Sequence, residues 1–378
     1  MPPRRNEVGL TINEYLSHKP VQGLRISELL LTNASELPRV SGWPDALKRM
    51  RHSRQRYVVV DAKNGLGNRL RALASGLAVA EHLRRRVLLI WVADLHCNCS
   101  FGKLFEIPLQ VELLEEVPAV QDLTNDDFQV FNYMRPEPGS VKDKLVVPDP
   151  DRHIYFKSGF LMNHKFGRWS RAQRKLQQLV PTKEVLRQLV ADKSMVGLHI
   201  RTVFDAPRDA DTNRSTLGVG AVESARKEYG AEGTRELLKW RNASHWSNFV
   251  PRMRELLRED DARLPDMGVA CTRRMAAAPA CSVKAQPRPL FYLAADSEAA
   301  YAHLIERFPG RLRYTRRPCA AERCDFRDCA AVVIALVDMF NLARTRQILG
   351  SGWSSYSEVA AYVGGERARP VPMLMAGR

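Results

Sequence analysis

The sequence predicts an α/β protein built from two Rossmann-like domains, and three observations predict it. The first is a strand–turn–helix passage, Tyr57-Val-Val-Val-Asp61, then Ala62-Lys-Asn-Gly-Leu-Gly-Asn-Arg69, with Leu66, Leu70, Leu73, Leu77 and Ala80 at helical spacing. Four β-formers in a row fit a buried strand, and the period that follows fits a helix. The second is the continuous apolar run Val87–Val92 directly after that helix, suited to a parallel strand covered on both faces. The third is a renewed alternation of strand-like and helix-like segments from Met195 onward. A chain of 378 residues also exceeds the size at which one core stops growing, so about two domains are expected.

Taken in order, residues 1–55 are polar and irregular apart from a short helix predicted at Ile26–Leu31, and they read as an N-terminal arm. The first domain, 56–190, holds a strand at 57–61, a helix at 67–86 and a strand at 87–92. A weakly patterned stretch follows to about residue 165, and an Arg/Gln/Leu-rich helix over Trp169–Leu189 leads out. The second domain, 191–363, opens on a strand at Met195–Ile200 and passes through a polar insertion, 203–245. An amphipathic helix around Phe249–Leu257 and a loop at 258–289 come next. Order returns with strand Leu290–Ala295, helix 297–308, strand Arg311–Tyr314, helix 328–343 and strand Gln347–Leu349. The Arg/Pro-rich tail, 364–378, is read as disordered.

Composition narrows the function. Lys and Arg number 58 against 42 Asp and Glu, a formal charge of +16, which favours phosphate-bearing partners. Nucleic acid is set aside because the arginines are scattered, no aromatic-interleaved motif appears and no Cys/His spacing suggests a zinc finger. No run approaches the ~20 apolar residues of a membrane span, so no integral membrane contact is expected. Met1-Pro-Pro-Arg-Arg lacks an apolar segment behind it, and as written the chain reads as cytoplasmic. Of the seven cysteines, Cys271 with Cys281 and the set Cys319, Cys324 and Cys329 can pair in an oxidising compartment, but ordinary reduced thiols are the preferred reading. No metal is assigned to the latter set, whose spacing is poor for zinc without nearby His. Sequons at Asn33, Asn98, Asn213 and Asn242 matter only if a missing N-terminal signal sends the chain to the secretory lumen.

Four motifs carry the chemistry. Gly65 and Gly67 sit at a strand-to-helix corner whose first amides are unpaired and can receive an anion or a sugar hydroxyl, with Asn68 and Arg69 facing the same space. The turn is neither a dinucleotide fingerprint nor a P-loop, since the third glycine and the Lys-Ser/Thr ending are both missing. His199-Ile-Arg201 places His and Arg on one face of a strand, the guanidinium fork suiting a diphosphate or, alternatively, a structural ion pair. Asp296-Ser297 ends the next strand, as a contact to a guanine or ribose edge or as a plain helix cap. Ser354-Ser355-Tyr356-Ser357, after Gly350 and Gly352, offers hydroxyls and free amides at another helix start, again against simple capping. All lie at or just beyond the carboxyl ends of predicted strands, where open α/β sheets bind ligands.

In content and order these segments resemble the fucosyltransferase superfamily: protein O-fucosyltransferases, core α-1,6-fucosyltransferases and nodulation fucosyltransferases. The matching residues are Gly-Leu-Gly-Asn-Arg at 65–69, His-Ile-Arg at 199–201, Tyr-Leu-Ala-Ala-Asp-Ser at 292–297 and Gly-Ser-Gly-Trp-Ser-Ser-Tyr-Ser-Glu at 350–358. The resemblance implies a GT-B architecture, two Rossmann-like domains facing a cleft, and inverting, metal-independent transfer from GDP-fucose with no further cofactor. It implies donor contacts at Gly65, Gly67, His199, Arg201, Asp296, Ser297, Ser354, Ser355 and Tyr356, and a role on the reacting sugar for Asn68 and Arg69.

An Arg with a hydroxyl-rich helix start can meet the charge of departing GDP without a divalent ion. The Asp-x-Asp pairs, Asp149/Asp151 and Asp209/Asp211, fall in predicted loops. Some relatives carry an acidic residue near the turn where this chain has Asn64, which leaves Asp61 and Asp94 as the nearest base candidates, each also readable as a cap or turn residue. His-Ile-Arg is followed by Thr-Val-Phe-Asp205 rather than a tighter Gly-Asp, so another GDP-sugar stays open, and the missing acidic residue at the turn keeps an inactive GDP-sugar binder open. The acceptor, glycan, peptide or small molecule, is not encoded in any motif.

Overall fold

The computed structural model describes residues 42–108, 111–123, 126–134, 137–202, 219–263, 289–320, 323–367 and 369–375. Helix α1, Trp43–His52, carries Pro44 in its first turn and buries Trp43, Ala46, Leu47 and Met50 along one stripe. It packs on Tyr57, Val59, Leu88 and Ile90, so the end of the expected irregular arm is an ordered part of the first half. The helix expected at 26–31 lies outside the described residues.

The first half continues through β1 (Tyr57–Ala62), α2 (Leu66–Leu83) and β2 (Arg86–Ile90), as the apolar patterns require. Helix α2 stops where Arg84 takes a left-handed φ of 54°, earlier than the sequence pattern suggested. A single turn, α3 (Phe101–Leu104), precedes three strands: β3 (Val111–Leu114), β4 (Phe128–Asn132) and β5 (His153–Ser158). These three strands fill the stretch up to residue 165 that reads as weakly patterned in the sequence. Their polar members, Glu112, Gln129, His153 and Lys157, interrupt the apolar runs that mark a buried strand. The expected helix over Trp169–Leu189 is two pieces, α4 (Trp169–Leu176) and α5 (Lys183–Leu186), because Pro181 cannot continue a helix. The sheet order is β3-β2-β1-β5-β4, parallel throughout, with β1 at the centre.

The second half contains β6 (Val196–Ile200), α6 (Val219–Ala243), α7 (Val250–Arg263), β7 (Phe291–Ala295), α8 (Glu298–Arg307), β8 (Leu312–Arg313), α9 (Cys329–Arg344), β9 (Gln347–Gly350), α10 (Ser355–Gly364) and β10 (Met373–Met375). Its order is β10-β9-β6-β7-β8, again parallel. Two expectations change here. The polar insertion contributes the long helix α6, kinked at Gly230, whose φ is 74°. The tail read as disordered supplies edge strand β10, because its backbone completes hydrogen bonds with β9 and Val371 is buried.

A single apolar core joins the halves. Leu70 and Leu73 of α2 share it with Val337 and Phe340 of α9 and Val359 and Ala360 of α10. The arrangement is GT-B-like, two parallel five-stranded sheets facing across a cleft, with the apolar seam beneath. A disulfide between Cys99 and Cys329 crosses from one half to the other, and a second joins Cys319 to Cys324. This corrects the reading of ordinary reduced thiols: Cys99 had no partner close in sequence and finds one only in three dimensions. Cys97 keeps a buried thiol, pushed up to about 11 by burial. Cys271 and Cys281 lie outside the described residues.

Acid should weaken the first half at a definite point. His153, buried in β5, accepts the backbone N–H of Tyr57 at Nδ1 (3.0 Å), and burial, then nearby Arg56, push its pKa down to about 4. Between pH about 6.5 and about 4 the unfolded chain binds a proton that the folded chain excludes, so this term leaves stability unchanged above 6.5 and lowers it as pH falls. In calorimetry, His153→Asn, which keeps an acceptor without the titration, should show a shallower decline of Tm over that window. A parallel decline would assign the acid sensitivity elsewhere.

Candidate functional site

A cavity of about 650 Å³ occupies the cleft, walled by the start of α2, the carboxyl ends of β6 and β7, the start of α10 and one side of α6. At the corner after β1, Asn64 takes a left-handed φ of 66° and Gly65 caps α2 without a side-chain bond, so the first amides of the helix stay open. Gly67 lines the cavity and also sets the spacing of its walls. A Cβ there would lie 3.0 Å from the Ser355 backbone, so this glycine lets the starts of α2 and α10 meet across the cleft.

Asn68 lines the cavity, and its Oδ1 accepts from Arg71 Nη2 (2.9 Å), leaving the amide nitrogen as the group able to donate. Arg71 also donates to Gly159 O (2.7 Å), pairs with Glu358 (3.0 Å) and lies 5.0 Å over the Phe160 ring. Glu358 in turn accepts from Trp169 Nε1 (2.8 Å).

Arg69 does not share this space, a correction to the expected position. It is fully buried, donates to Asn64 O (2.8 Å) and Val92 O (2.7 Å), and pairs with Asp94 (2.7 Å). On the helix it falls beside Leu70, on the face turned to the sheet, where bonds to carbonyls and a carboxylate offset its desolvation. Its place explains Asp94, which takes that charge and accepts from the His96 and Cys97 amides. Asp61 is buried, accepting from Tyr155 OH (2.7 Å) and pairing with Lys63 (2.8 Å). Neither base candidate lines the cavity.

On the opposite wall, β6 delivers His199 and Arg201. His199 stacks on Tyr356 with centroids 4.7 Å apart, and Nδ1 meets Ser357 Oγ at 2.5 Å. Burial, then Arg201, Arg241 and Arg317, hold its pKa well below the usual range, so the ring is neutral. Arg201 is anchored by its backbone, N–H to Ser351 Oγ (2.8 Å), which leaves the guanidinium to the cavity. Asp296 lines the cavity and accepts from Thr202 N (2.8 Å) and Thr202 Oγ1 (3.0 Å). Ser297, expected at the donor, is instead the cap of α8, accepting from Ala300 N (3.3 Å) away from the cavity. Ser354 caps α10 without a side-chain bond and lines the cavity together with Ser355 and Tyr356. Gly352 is required nearby, since a Cβ there would fall 1.9 Å from the Trp240 ring.

Three arginines that the motifs did not point to complete the wall: Arg241, Arg317 and Arg327. Arg317 pairs with buried Asp338, which also accepts from Tyr292 OH (2.6 Å), and Arg327 faces Asp325 at 3.8 Å. Arg201 and Arg241 have no carboxylate ion-pair partner among the described residues. Arg241 is buried, makes only long bonds to the Gly352 and Trp353 carbonyls (3.3 and 3.5 Å), and keeps Nε without a partner among them. Burial and repulsion from Arg201 push its pKa down to about 9. Arg71 was findable, one turn beyond Asn68 on the same helix face. Arg241 and Arg327 were not, since only the fold brings their segments here.

Among the described residues no cluster of His, Cys, Asp and Glu could hold a metal ion, and no helix is long and apolar enough to cross a membrane. No family model and no curated protein matches the chain. Solved structures similar to it include NodZ α-1,6-fucosyltransferase soaked with GDP-fucose, at 15% identity and TM-score 0.46, covering 82% of this chain and 93% of that one. A selenomethionine NodZ from Bradyrhizobium matches at 16% identity and TM-score 0.46, covering 82% and 92%. POFUT1 in complex with GDP matches at 14% identity and TM-score 0.47, covering 86% and 99%.

Proposed function

We propose that the cleft binds GDP-fucose and transfers fucose, with inversion and without a metal, to a hydroxyl acceptor. The observation that carries this reading is the pair Arg201 and Arg241, two cavity-lining cations without a carboxylate partner among the described residues, one of them buried and repelled by the other. A diphosphate between them offsets the burial cost of Arg241 and the repulsion between the pair, and accepts from the planar guanidinium donors. The open start of α10 adds backbone amides and the positive end of a helix dipole for the charge that grows on the departing GDP. His199, neutral and stacked, shapes the wall, and Asp296 stands at the end of β7 as an acceptor for a nucleoside edge.

Asn68 faces the sugar and the acceptor from the first half. Glu358, Asp338 and Asp325 are each ion-paired to an arginine, and Asp296 is committed to Thr202, so none of these cavity carboxylates is an available base. The acceptor proton then passes to a phosphate oxygen of the leaving GDP as the new glycosidic bond forms. The two disulfides fit an oxidising compartment, the secretory lumen rather than the cytoplasm.

The test is a calorimetric titration with GDP followed by an assay of GDP-fucose consumption. Binding and turnover that survive EDTA are expected. Binding without any turnover of GDP-fucose or its acceptor-free hydrolysis would make the protein a GDP-sugar binder. Complete loss on chelation, restored by manganese, would sink the metal-free mechanism.

A further inference from the structure

We propose that a second, smaller cavity beside the cleft receives an acidic saccharide unit of the acceptor; the assignment rests on the transfer reading above. This cavity measures about 250 Å³ and shares Arg71, Phe160 and Glu358 with the main one. An acceptor whose hydroxyl reaches Asn68 and whose chain is long enough to pass the Arg71–Glu358 pair meets this cavity next. Since that pair is mutually satisfied, the charge offered to a ligand comes from the far wall, Lys142 and Arg168 set against Asp143.

Neither Lys142 nor Arg168 has a carboxylate partner within 4.0 Å among the described residues; Arg168 bonds to the Asn163 side chain instead. The exposed cations Lys144, Lys165 and Arg171 follow the same two segments, also without such partners, so the surroundings favour an anion. The apolar lining is Tyr133, Phe160 and Leu161, with the Arg71 guanidinium 5.0 Å and Lys142 Nζ 4.8 Å from the Phe160 ring centroid. A small concavity with aromatic side chains in its lining and flexible cations at its edge suits a sugar ring that bears a carboxylate or sulfate. An extended peptide would instead be expected to find unpaired strand edges or a long groove.

The experiment measures fluorescence anisotropy of labelled hexasaccharides at physiological salt, with and without saturating GDP. The probes are chondroitin sulfate, its desulfated form, which keeps only carboxylates, neutral chitohexaose, and a polyglutamate peptide of matching charge. Acidic saccharides should bind roughly tenfold or more tightly than chitohexaose, and the double variant Lys142→Glu/Arg168→Glu should abolish that margin. A control reversing the same charge elsewhere, Lys183→Glu/Arg254→Glu, should change affinity less than about threefold, a general field effect. The desulfated arm tells carboxylate from sulfate recognition. Equal losses in both variants, equal binding of the neutral probe, or tighter binding of the peptide would overturn the proposal. GDP affinity, measured on the same preparations, should be unchanged by Lys142→Glu/Arg168→Glu. Failure of the parent protein to bind GDP would instead strike the transfer reading and leave the saccharide result to stand or fall by itself.

Discussion

Asn68→Ala is expected to lower turnover by roughly 10²-fold or more while leaving GDP affinity nearly unchanged, because the contact it removes forms mainly in the transition state. The geometry favours this outcome over a stability loss. Gly65 occupies the cap position of α2, so the Asn68 side chain is not spent on the helix terminus. Its oxygen is held by Arg71 at 2.9 Å, which orients the amide nitrogen and identifies the Oδ1 side of the group by chemistry, since a guanidinium only donates. A capping role would cost about 1 kcal/mol of stability with turnover per folded molecule preserved. Melting temperature and turnover on one preparation separate the two, and a destabilised but fully active protein would remove Asn68 from the site.

Arg201→Lys should weaken GDP binding by about 1–3 kcal/mol, since an ammonium cannot reproduce the bidentate geometry of the guanidinium toward two phosphate oxygens. The fold should survive, because Arg201 is fastened through its backbone N–H to Ser351 and not through its side chain. The neighbouring Arg241 retains its bonds to the Gly352 and Trp353 carbonyls, so a residual anion site should remain. Calorimetric affinity equal to that of the parent would assign Arg201 a structural role and take the phosphate-binding pair out of the argument.

Much of the architecture was legible because it rests on local patterns. The runs Tyr57–Val60, Val87–Ile90 and Phe291–Ala295 are buried strands in both sheets, as uninterrupted β-formers require. Where polar residues enter a strand, as in His153–Ser158, the pattern fades, although β5 lies beside the central strand β1. Its His153 is buried for a tertiary reason, the bond to the Tyr57 amide 96 positions away. Edge strand β10 is similar: Arg and Pro dominate the composition around it, and only pairing with β9 makes Met373–Met375 a strand.

Glycines after apolar strands place turns at helix starts, and parallel strands align their carboxyl ends, so the local pattern was enough to bring the backbone corners to one edge of the sheets. It therefore placed Asn68, His199, Arg201, Asp296 and Ser354–Tyr356 on the cavity wall. Packing, and not spacing, settles which side chains at those corners are already committed to a partner. Arg69 and Asp94 satisfy each other beneath the turn, Asp61 is consumed by Lys63 and Tyr155, and Ser297 by its own helix. Arg71 and Arg241 reach the cavity wall, and Cys99 reaches Cys329, through contacts between residues up to 287 positions apart. Charge and reactivity depend on desolvation and on the nearest partner, and both are properties of packed neighbours that a one-dimensional spacing does not contain.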